Sequence, residues 1–355
     1  MINQTVRDPL QEDSRLIAAK KGDKGQFAEL TEPHRRELQI HCYRILGSLQ
    51  EAEDLVQETF LRAWRRLGTY QGRASFRAWL YKIATNACLD ALDQRHSRRL
   101  LPMDIYSASD PHAMIDPPPP EISWLEPFPD EWLVDQTAAN PEARYSLYES
   151  VSLAFLTALQ ALPPRQRAAL ILTDVLDWSA REVAELLETS ISSVNSALHR
   201  ARVTLAKHYH SPNQERAFKV EPDEETQELL DQYVEAWQTA DIAGLVALLK
   251  KDAILAMPPS ASWYRGKSAI RIFAARTVFA DQGMFGAKAK GRWKLLPLHA
   301  NAQPAFAIYQ RAQAGDYHFA GIHVLTVEAR QLNQIMCFMD PSLLRYFSVL
   351  PTITK

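Results

Sequence analysis

Four consecutive prolines, Pro117–Pro120, interrupt the 355-residue chain about a third of the way along, and Pro127 and Pro129 follow closely. Proline lacks an amide hydrogen and its ring collides with the preceding helical turn, so no helix can cross this stretch. The chain must divide here, and its length suits two or three domains better than one. Hydrophobic residues make up 46% and charged residues 23%, enough apolar material for real cores.

The formal net charge is −2, which argues neither for nor against nucleic acid, but the charge is unevenly spread. Between Phe60 and Leu100 the basic residues are Arg62, Arg65, Arg66, Arg73, Arg77, Lys82, Arg95, Arg98 and Arg99, against Asp90 and Asp93 alone. From Leu101 to Asn140 there is no Lys or Arg, while Asp104, Asp110, Asp116, Glu121, Glu126, Asp130, Glu131 and Asp135 are all acidic. A polyanion-binding surface followed by a segment that avoids or imitates a polyanion fits this asymmetry. Cys42, Cys88 and Cys337 are too scattered for a metal site, and so sparse a count suits a reducing cytosol. No signal peptide and no membrane-spanning apolar run is visible, so a cytoplasmic protein without membrane contact is expected.

Four pieces follow from periodicity: 10–100, 101–140, 141–210 and 226–346. In the first, apolar residues recur at three- and four-residue spacing (Phe27, Leu30, Leu38, Ile40, Tyr43, Leu46, then Leu55, Phe60, Leu61, Trp64, Leu67), which predicts helices. Ser75 is placed to cap a helix opening at Phe76. The acidic 101–140 linker carries Trp124, Leu125, Phe128 and Trp132, more than a flexible spacer needs, so contact with a neighbouring domain is expected. In the last piece, a helix over 228–250, a strand-like run at 253–257 and a helix over 267–279 precede strand-like runs at 293–298, 305–311, 318–328 and 334–338, predicting an α+β domain with antiparallel strands.

The strongest local signal is Ser179–Arg202. Ser179 and Glu182 have capping-box spacing, and Val183, Ala184 and Leu187 form one buried face. After a turn at Glu188–Ser190, a second helix is expected to turn Ile191, Val194, Leu198 and Val203 inward. Its outer face would then be Ser192, Ser193, Asn195, Ser196, His199 and Arg200. A short helix, a turn and a polar, basic-ended second helix make a helix-turn-helix, whose second helix enters the major groove.

Together with that motif, "EAEDLVQETFLRAW" (Glu51–Trp64) and "GTYQGRASFRAWLYKIATNACLD" (Gly68–Asp90) resemble the sigma-70 family in its extracytoplasmic-function group. The first two segments resemble region 2, and Leu162–Arg202 resembles region 4. The resemblance implies two all-α sigma domains, and partners in core RNA polymerase (its β′ clamp helices and β flap) and promoter DNA. Asp54, Leu55, Gln57, Glu58 and Trp64 match the helix that docks on the clamp helices. Tyr70, Arg73, Ser75, Phe76, Trp79, Lys82, Ile83, Asn86 and Asp90 match the segment that reads and melts the −10 element. There, aromatic wedges and backbone-binding cations are the chemistry required, although one face of the same helix must be core. Ser192, Ser193, Asn195, Ser196, His199, Arg200 and Arg202 match the −35 readers. Glu188 departs from the pattern, standing where the family commonly has glycine, and a left-handed backbone there would be strained. The acidic linker would run through the polymerase cleft, its carboxylates, Asp130 and Glu131 included, imitating RNA phosphates.

"WLEPFPD" (Trp124–Asp130) resembles the linker signature of sigma factors with a C-terminal SnoaL-like domain, a cone-shaped α+β fold around an apolar pocket. Trp124, Leu125, Phe128 and Asp130 are the linker contact residues. Such a domain would regulate the sigma core from within the chain, and a small-molecule ligand for it stays open. Its candidate pocket groups are Trp237, Trp263, Tyr264, Trp293, Tyr309, His318, His323 and Asp316, and relatives of this fold use an Asp or His as acid/base. With no HExxH, no GxSxG and no phosphate-cradling glycine loop, no catalytic residue, cofactor or metal is expected. The alternatives are a stand-alone helix-turn-helix regulator and a pocket enzyme fused to DNA-binding modules.

Overall fold

The structure, a computed structural model, describes residues 9–94, 99–136, 146–209, 223–282, 284–286 and 288–354. It divides into two units, Met1–Arg99 with Trp132–Ser211, and Leu100–Glu131 with Pro212–Lys355. The acidic linker is thus not a piece of its own: most of it belongs to the second unit.

The first unit opens with α1 (Pro9–Lys20), α2 (Lys24–Thr31), α3 (Arg35–Leu46), α4 (Leu49–Arg66) and α5 (Phe76–Gln94). Local chemistry sets their ends. Gly47 stops α3 in the left-handed conformation, at φ 75°, and its N–H returns to the Tyr43 carbonyl at 2.7 Å. Ser48 then caps α4, its hydroxyl accepting from the Glu51 N–H, and Ser75 accepts from the Ala78 N–H at the start of α5. Leu38, Ile40, Ile45, Val56, Ala63, Leu80 and Ala84 are fully buried among these helices.

A second helical group follows in the same unit: α6 (Leu153–Gln160), α7 (Pro164–Leu170, continued by a π-helical turn at Ile171–Val175), α8 (Ala180–Leu186) and α9 (Ile191–His208). The capping box at Ser179 and Glu182 forms as the spacing predicts, with reciprocal bonds of 3.3 and 2.8 Å. Arg167, buried on α7, ties the two groups together. Its guanidinium donates to the Ile45 carbonyl at the end of α3 (2.5 Å), to the Gln160 side chain (2.7 Å), and to the Gln160 and Leu162 carbonyls (3.2 and 3.1 Å). Carbonyls at a helix C-terminus lack partners within the helix and attract a cation. The Tyr81 and Trp178 rings also meet across the groups at 5.5 Å.

The second unit holds α10 (Glu224–Thr239), α11 (Ile242–Leu248) and α12 (Lys267–Arg276). Its strands are β1 (Leu249–Ala256), β2 (Trp263–Arg265), β3 (Trp293–Ala300), β4 (Gln303–Arg311), β5 (Tyr317–Glu328), β6 (Gln331–Phe338) and β7 (Thr352–Ile353). The strand order is β2-β1-β6-β5-β4-β3, with β7 paired to β5. The expectation of wholly antiparallel strands needs one correction, because β1 and β6 run parallel. They are far apart in sequence, and the pairing is made by tertiary packing, which leaves no local pattern. β2 and β7 were too short to show a period. Gly321 is required where it stands, because a Cβ there would collide with the Phe338 carbonyl oxygen. Helices α10–α12 bury Tyr233, Trp237, Leu245 and Phe273 against one sheet face, giving an α+β cone.

Candidate polymerase- and promoter-binding surfaces

On α4 the predicted docking residues divide by exposure. Asp54 and Gln57 are exposed, Leu55, Glu58 and Trp64 half-buried. Trp64 packs edge-on against Phe27 at 5.1 Å and is partly structural. Leu61, which the apolar spacing groups with the core, is instead 51% exposed. It lies one turn beyond Gln57 and Glu58 and two beyond Asp54, so the outer stripe of α4 reads Asp54, Gln57/Glu58, Leu61. An apolar knob framed by carboxylates and an amide is the chemistry of a protein-docking face. Its spacing from the polar residues Asp54 and Gln57, not its hydrophobicity, is the sequence signal that marks it.

On α5, Phe76 and Ile83 are buried and belong to the core, while Trp79, Lys82 and Asn86 are half-exposed and Asp90 is exposed. The last four follow three- and four-residue steps and share one face. Tyr70, Phe76 and Trp79 form an aromatic cluster with centroids 5.1 to 5.8 Å apart, and Arg73 and Ser75 are exposed beside it. Arg62 links the two surfaces, reaching Glu58 at 2.8 Å and Asp90 at 3.2 Å. Beneath this face, burial drives the His41 imidazole down to about 3, so the ring stays neutral, and its Nε2 lies 2.8 Å from the Thr85 hydroxyl.

In the helix-turn-helix, α9 buries Val194, Leu198 and Ala201, but Ile191 and Val203, expected inside, are 47% and 46% exposed. Val203 is five residues beyond Leu198, about 140° around the helix, and falls off the buried stripe. Ile191 starts the helix and lies beyond the stripe's first turn. Ser192, Asn195, Ser196, His199 and Arg200 form one exposed polar face. The Ser193 hydroxyl is held 2.8 Å from the capping hydroxyl of Ser190. Arg202 is gripped by both carboxylate oxygens of Asp174, at 3.0 and 2.7 Å, which raises its pKa. Glu188 does adopt a positive φ, 53°, and its carboxylate pairs with Lys82 at 2.9 Å. The non-glycine turn therefore touches a candidate −10 residue. Arg95, Arg98 and residues 137–145 lie outside the described residues.

The four linker contact residues are all buried in the second unit. Trp124 forms a β-bridge with Leu100, and Leu125 donates to the Leu100 carbonyl at 3.2 Å. Phe128 and Asn301 are doubly bonded, each backbone N–H reaching the other residue at 2.9 Å. Asp130 accepts from the Ala302 N–H at 2.9 Å. Asn301 and Ala302 are both left-handed (φ 57° and 58°) at the β3–β4 turn, which exposes their N–H groups to this clasp. Asp130 is thus occupied within the protein, unlike an exposed phosphate mimic, whereas Glu131 is exposed.

Burial pushes the Asp130 carboxyl up to about 7, against the opposing pull of the Ala302 and Asn301 N–H donors. A carboxyl raised above its ordinary value binds its proton more tightly folded than unfolded. Its contribution is therefore full below about pH 4, declines as pH rises towards 7, and is flat above. Asp130→Asn keeps an acceptor but does not ionise. The slope of stability between pH 4 and 7 should then be shallower in the variant, measured by urea midpoints against the unaltered chain. Parallel slopes would deny the carboxyl this role.

Inside the cone, only Trp237, Trp293 and His323 of the predicted pocket groups line the residual cavity. Tyr264 stacks on Phe273 at 4.3 Å, and Trp263 donates to the Tyr106 carbonyl. Tyr309 donates to the Leu350 carbonyl, His318 is exposed beside Thr352, and Asp316 sits in the β4–β5 connection. The cavity measures about 20 Å³, room for about one water. His323 contacts the Tyr233 hydroxyl at 2.8 Å, faces Trp237 at 4.7 Å, and is driven down to about 3 by burial. Among the described residues no group of three or more His, Cys, Asp or Glu could hold a metal, and no helix is long and apolar enough to cross a membrane.

An amphipathic helix with an exposed apolar knob, an aromatic-and-cation helix beside it and a helix-turn-helix, in this order, fit a transcription initiation factor of the sigma-70 class. Residues 30–98 match the family profile for sigma-70 region 2, and residues 152–205 the profile for sigma-70 region 4. The chain is 43% identical to the ECF RNA polymerase sigma factor SigG of Mycobacterium tuberculosis over 328 residues, 92% of this chain and 84% of that one. It is 25% identical to the probable ECF RNA polymerase sigma factor SigI of the same species, over 88% of this chain and 92% of that one. The crystal structure of Mycobacterium tuberculosis extracytoplasmic function sigma factor SigJ shares the fold, with a TM-score of 0.56 at 21% identity, covering 91% of this chain and all of that one. The chain belongs to the ECF RNA polymerase sigma factors.

Proposed function

We propose that this sigma factor docks on the clamp helices of core RNA polymerase through Asp54, Leu55, Gln57, Glu58 and Leu61, with Trp64 bracing the helix. Trp79, Lys82 and Asn86, with Arg73 and Ser75, meet the −10 element and open it, while Tyr70, Phe76 and Ile83 shape the surface from beneath. Ser192, Asn195, Ser196, His199 and Arg200 read the −35 element, and Ser193 and Arg202 contribute once released from their internal partners. The β flap would hold the 141–210 domain. The cytoplasm, where polymerase and promoter reside, is the place of action.

The observation that carries this reading is the uninterrupted polar face of α9, backed by buried Val194, Leu198 and Ala201. Side chains of this length, on a helix capped at its outer end, suit base edges and phosphates. Arg200→Ala should weaken promoter binding by the holoenzyme by about 1–3 kcal/mol if Arg200 contacts a base, or lower the salt slope by about one if it contacts a phosphate. Promoter affinity across a salt series distinguishes the two, and an unchanged affinity and slope would remove α9 from the DNA.

The second unit acts as a regulator within the same chain and carries no chemistry of its own. A cone interior of about 20 Å³ leaves no room for a substrate, and a His323 held neutral against Tyr233 and Trp237 is packing material. The clasp of Phe128 and Asp130 on the β3–β4 turn supports a role in positioning the linker.

A further inference from the structure

The cone is closed to ligands, but a groove of about 390 Å³ lies on the second unit between α10 and the β3–β4 hairpin. That volume is within the range of small-molecule sites. Its floor is apolar: Leu230 and Val234 from α10, Leu295 from β3 and Phe306 from β4. Its outer wall is Pro297, His299 and Pro304. Opposite, Asp231 and Glu235 stand one helical turn apart on α10. Gln227 donates to one Asp231 oxygen at 2.8 Å, and the Glu235 carboxylate has no partner among the described residues. No Lys or Arg lines the groove, and α10 contains none from Glu224 to Thr239.

We propose that this groove binds a small hydrophobic cation, an amine with an apolar body. The apolar body would cover Leu230, Val234, Leu295 and Phe306. The ammonium would face Asp231 and Glu235, which repel an anion of the same shape. A neutral hydrophobe would gain the floor but leave the carboxylates unanswered. β3 runs from this groove to Ala300, next to the Asn301–Ala302 turn that holds Phe128 and Asp130. An occupant would therefore press on the strand that carries the linker clasp. The binding itself does not depend on the regulatory role proposed above.

The test is calorimetric titration of the full chain with n-octylamine, octyltrimethylammonium, octanoate and octanol, each below its micellar concentration. Both cations should bind about tenfold more tightly than octanoate. The double variant Asp231→Asn with Glu235→Gln should abolish that preference while octanol binding persists. Val234→Trp, which fills the floor, should remove binding of all four. His299→Trp, at an exposed wall position, does the same should Val234→Trp fail to fold. Equal affinity for octylamine and octanoate, cation binding that survives both tryptophan variants, or no saturation by either cation would each overturn the proposal. So would binding of a cationic amphipathic peptide where the amines do not bind, which would make the groove a protein-docking surface.

Discussion

Arg167→Met is expected to lower the stability of the first unit by about 3 kcal/mol, because a buried guanidinium leaves behind oxygens that nothing else can satisfy. Methionine fills similar volume but donates nothing. The Ile45 carbonyl, the Gln160 side chain and carbonyl and the Leu162 carbonyl would all lose a donor at once. For a unit of this size the shift in midpoint should be roughly 10 °C by thermal unfolding. The loss should fall on the join between the two helical groups, since Arg167 on α7 reaches Ile45 on α3. Hydrogen exchange should therefore quicken first at the end of α3 and along α6 and α7. Glu188→Gly is the natural contrast: it also parts a contact between the groups, but the Glu188 carboxylate is exposed and the glycine relieves its positive φ. It should leave the midpoint almost unchanged. Similar losses in both variants would mean that the groups are not joined through Arg167.

Leu61→Asp should reduce affinity for core RNA polymerase about 30-fold, the effect of losing a contact worth at least about 2 kcal/mol at the centre of an interface. Leu61 is half exposed, so stability should change by no more than about 0.5 kcal/mol. The two readings together separate a docking defect from misfolding. Asp54→Lys, on the same stripe, should weaken association by slowing it and should reverse its salt dependence. Binding of labelled protein to core polymerase, followed by promoter-dependent transcription in vitro, measures both variants. Normal affinity in both would move the docking surface away from α4.

Much of this molecule was legible from residues near one another in the chain. The capping box at Ser179 and Glu182, the cap at Ser75 and the helix-turn-helix register depend on spacings of three and four, which a sequence displays directly. The proline run does keep 117–120 free of helix, but the units part at Arg99/Leu100 and Glu131/Trp132, and Trp124, Leu125 and Phe128 are buried within the second unit itself. The apolar period alone misjudged Leu61, Ile191 and Val203, because it records hydrophobicity and cannot tell a core position from an interface position.

What only the tertiary structure decided involves partners distant in sequence. Arg167 carries no local mark of the Ile45 carbonyl it reaches, and Glu188 none of Lys82. Asp130 reads as one acid in an acidic linker until the left-handed Asn301–Ala302 turn is placed over it and burial lifts its carboxyl. The parallel pairing of β1 with β6 and the filling of the cone by Trp237, Trp293 and His323 are likewise products of packing. Periodicity and capping depend on backbone geometry repeating every few residues, so a sequence specifies them. Burial, ion pairing and cavity volume depend on which distant surfaces meet, and those are settled only when the chain has closed on itself.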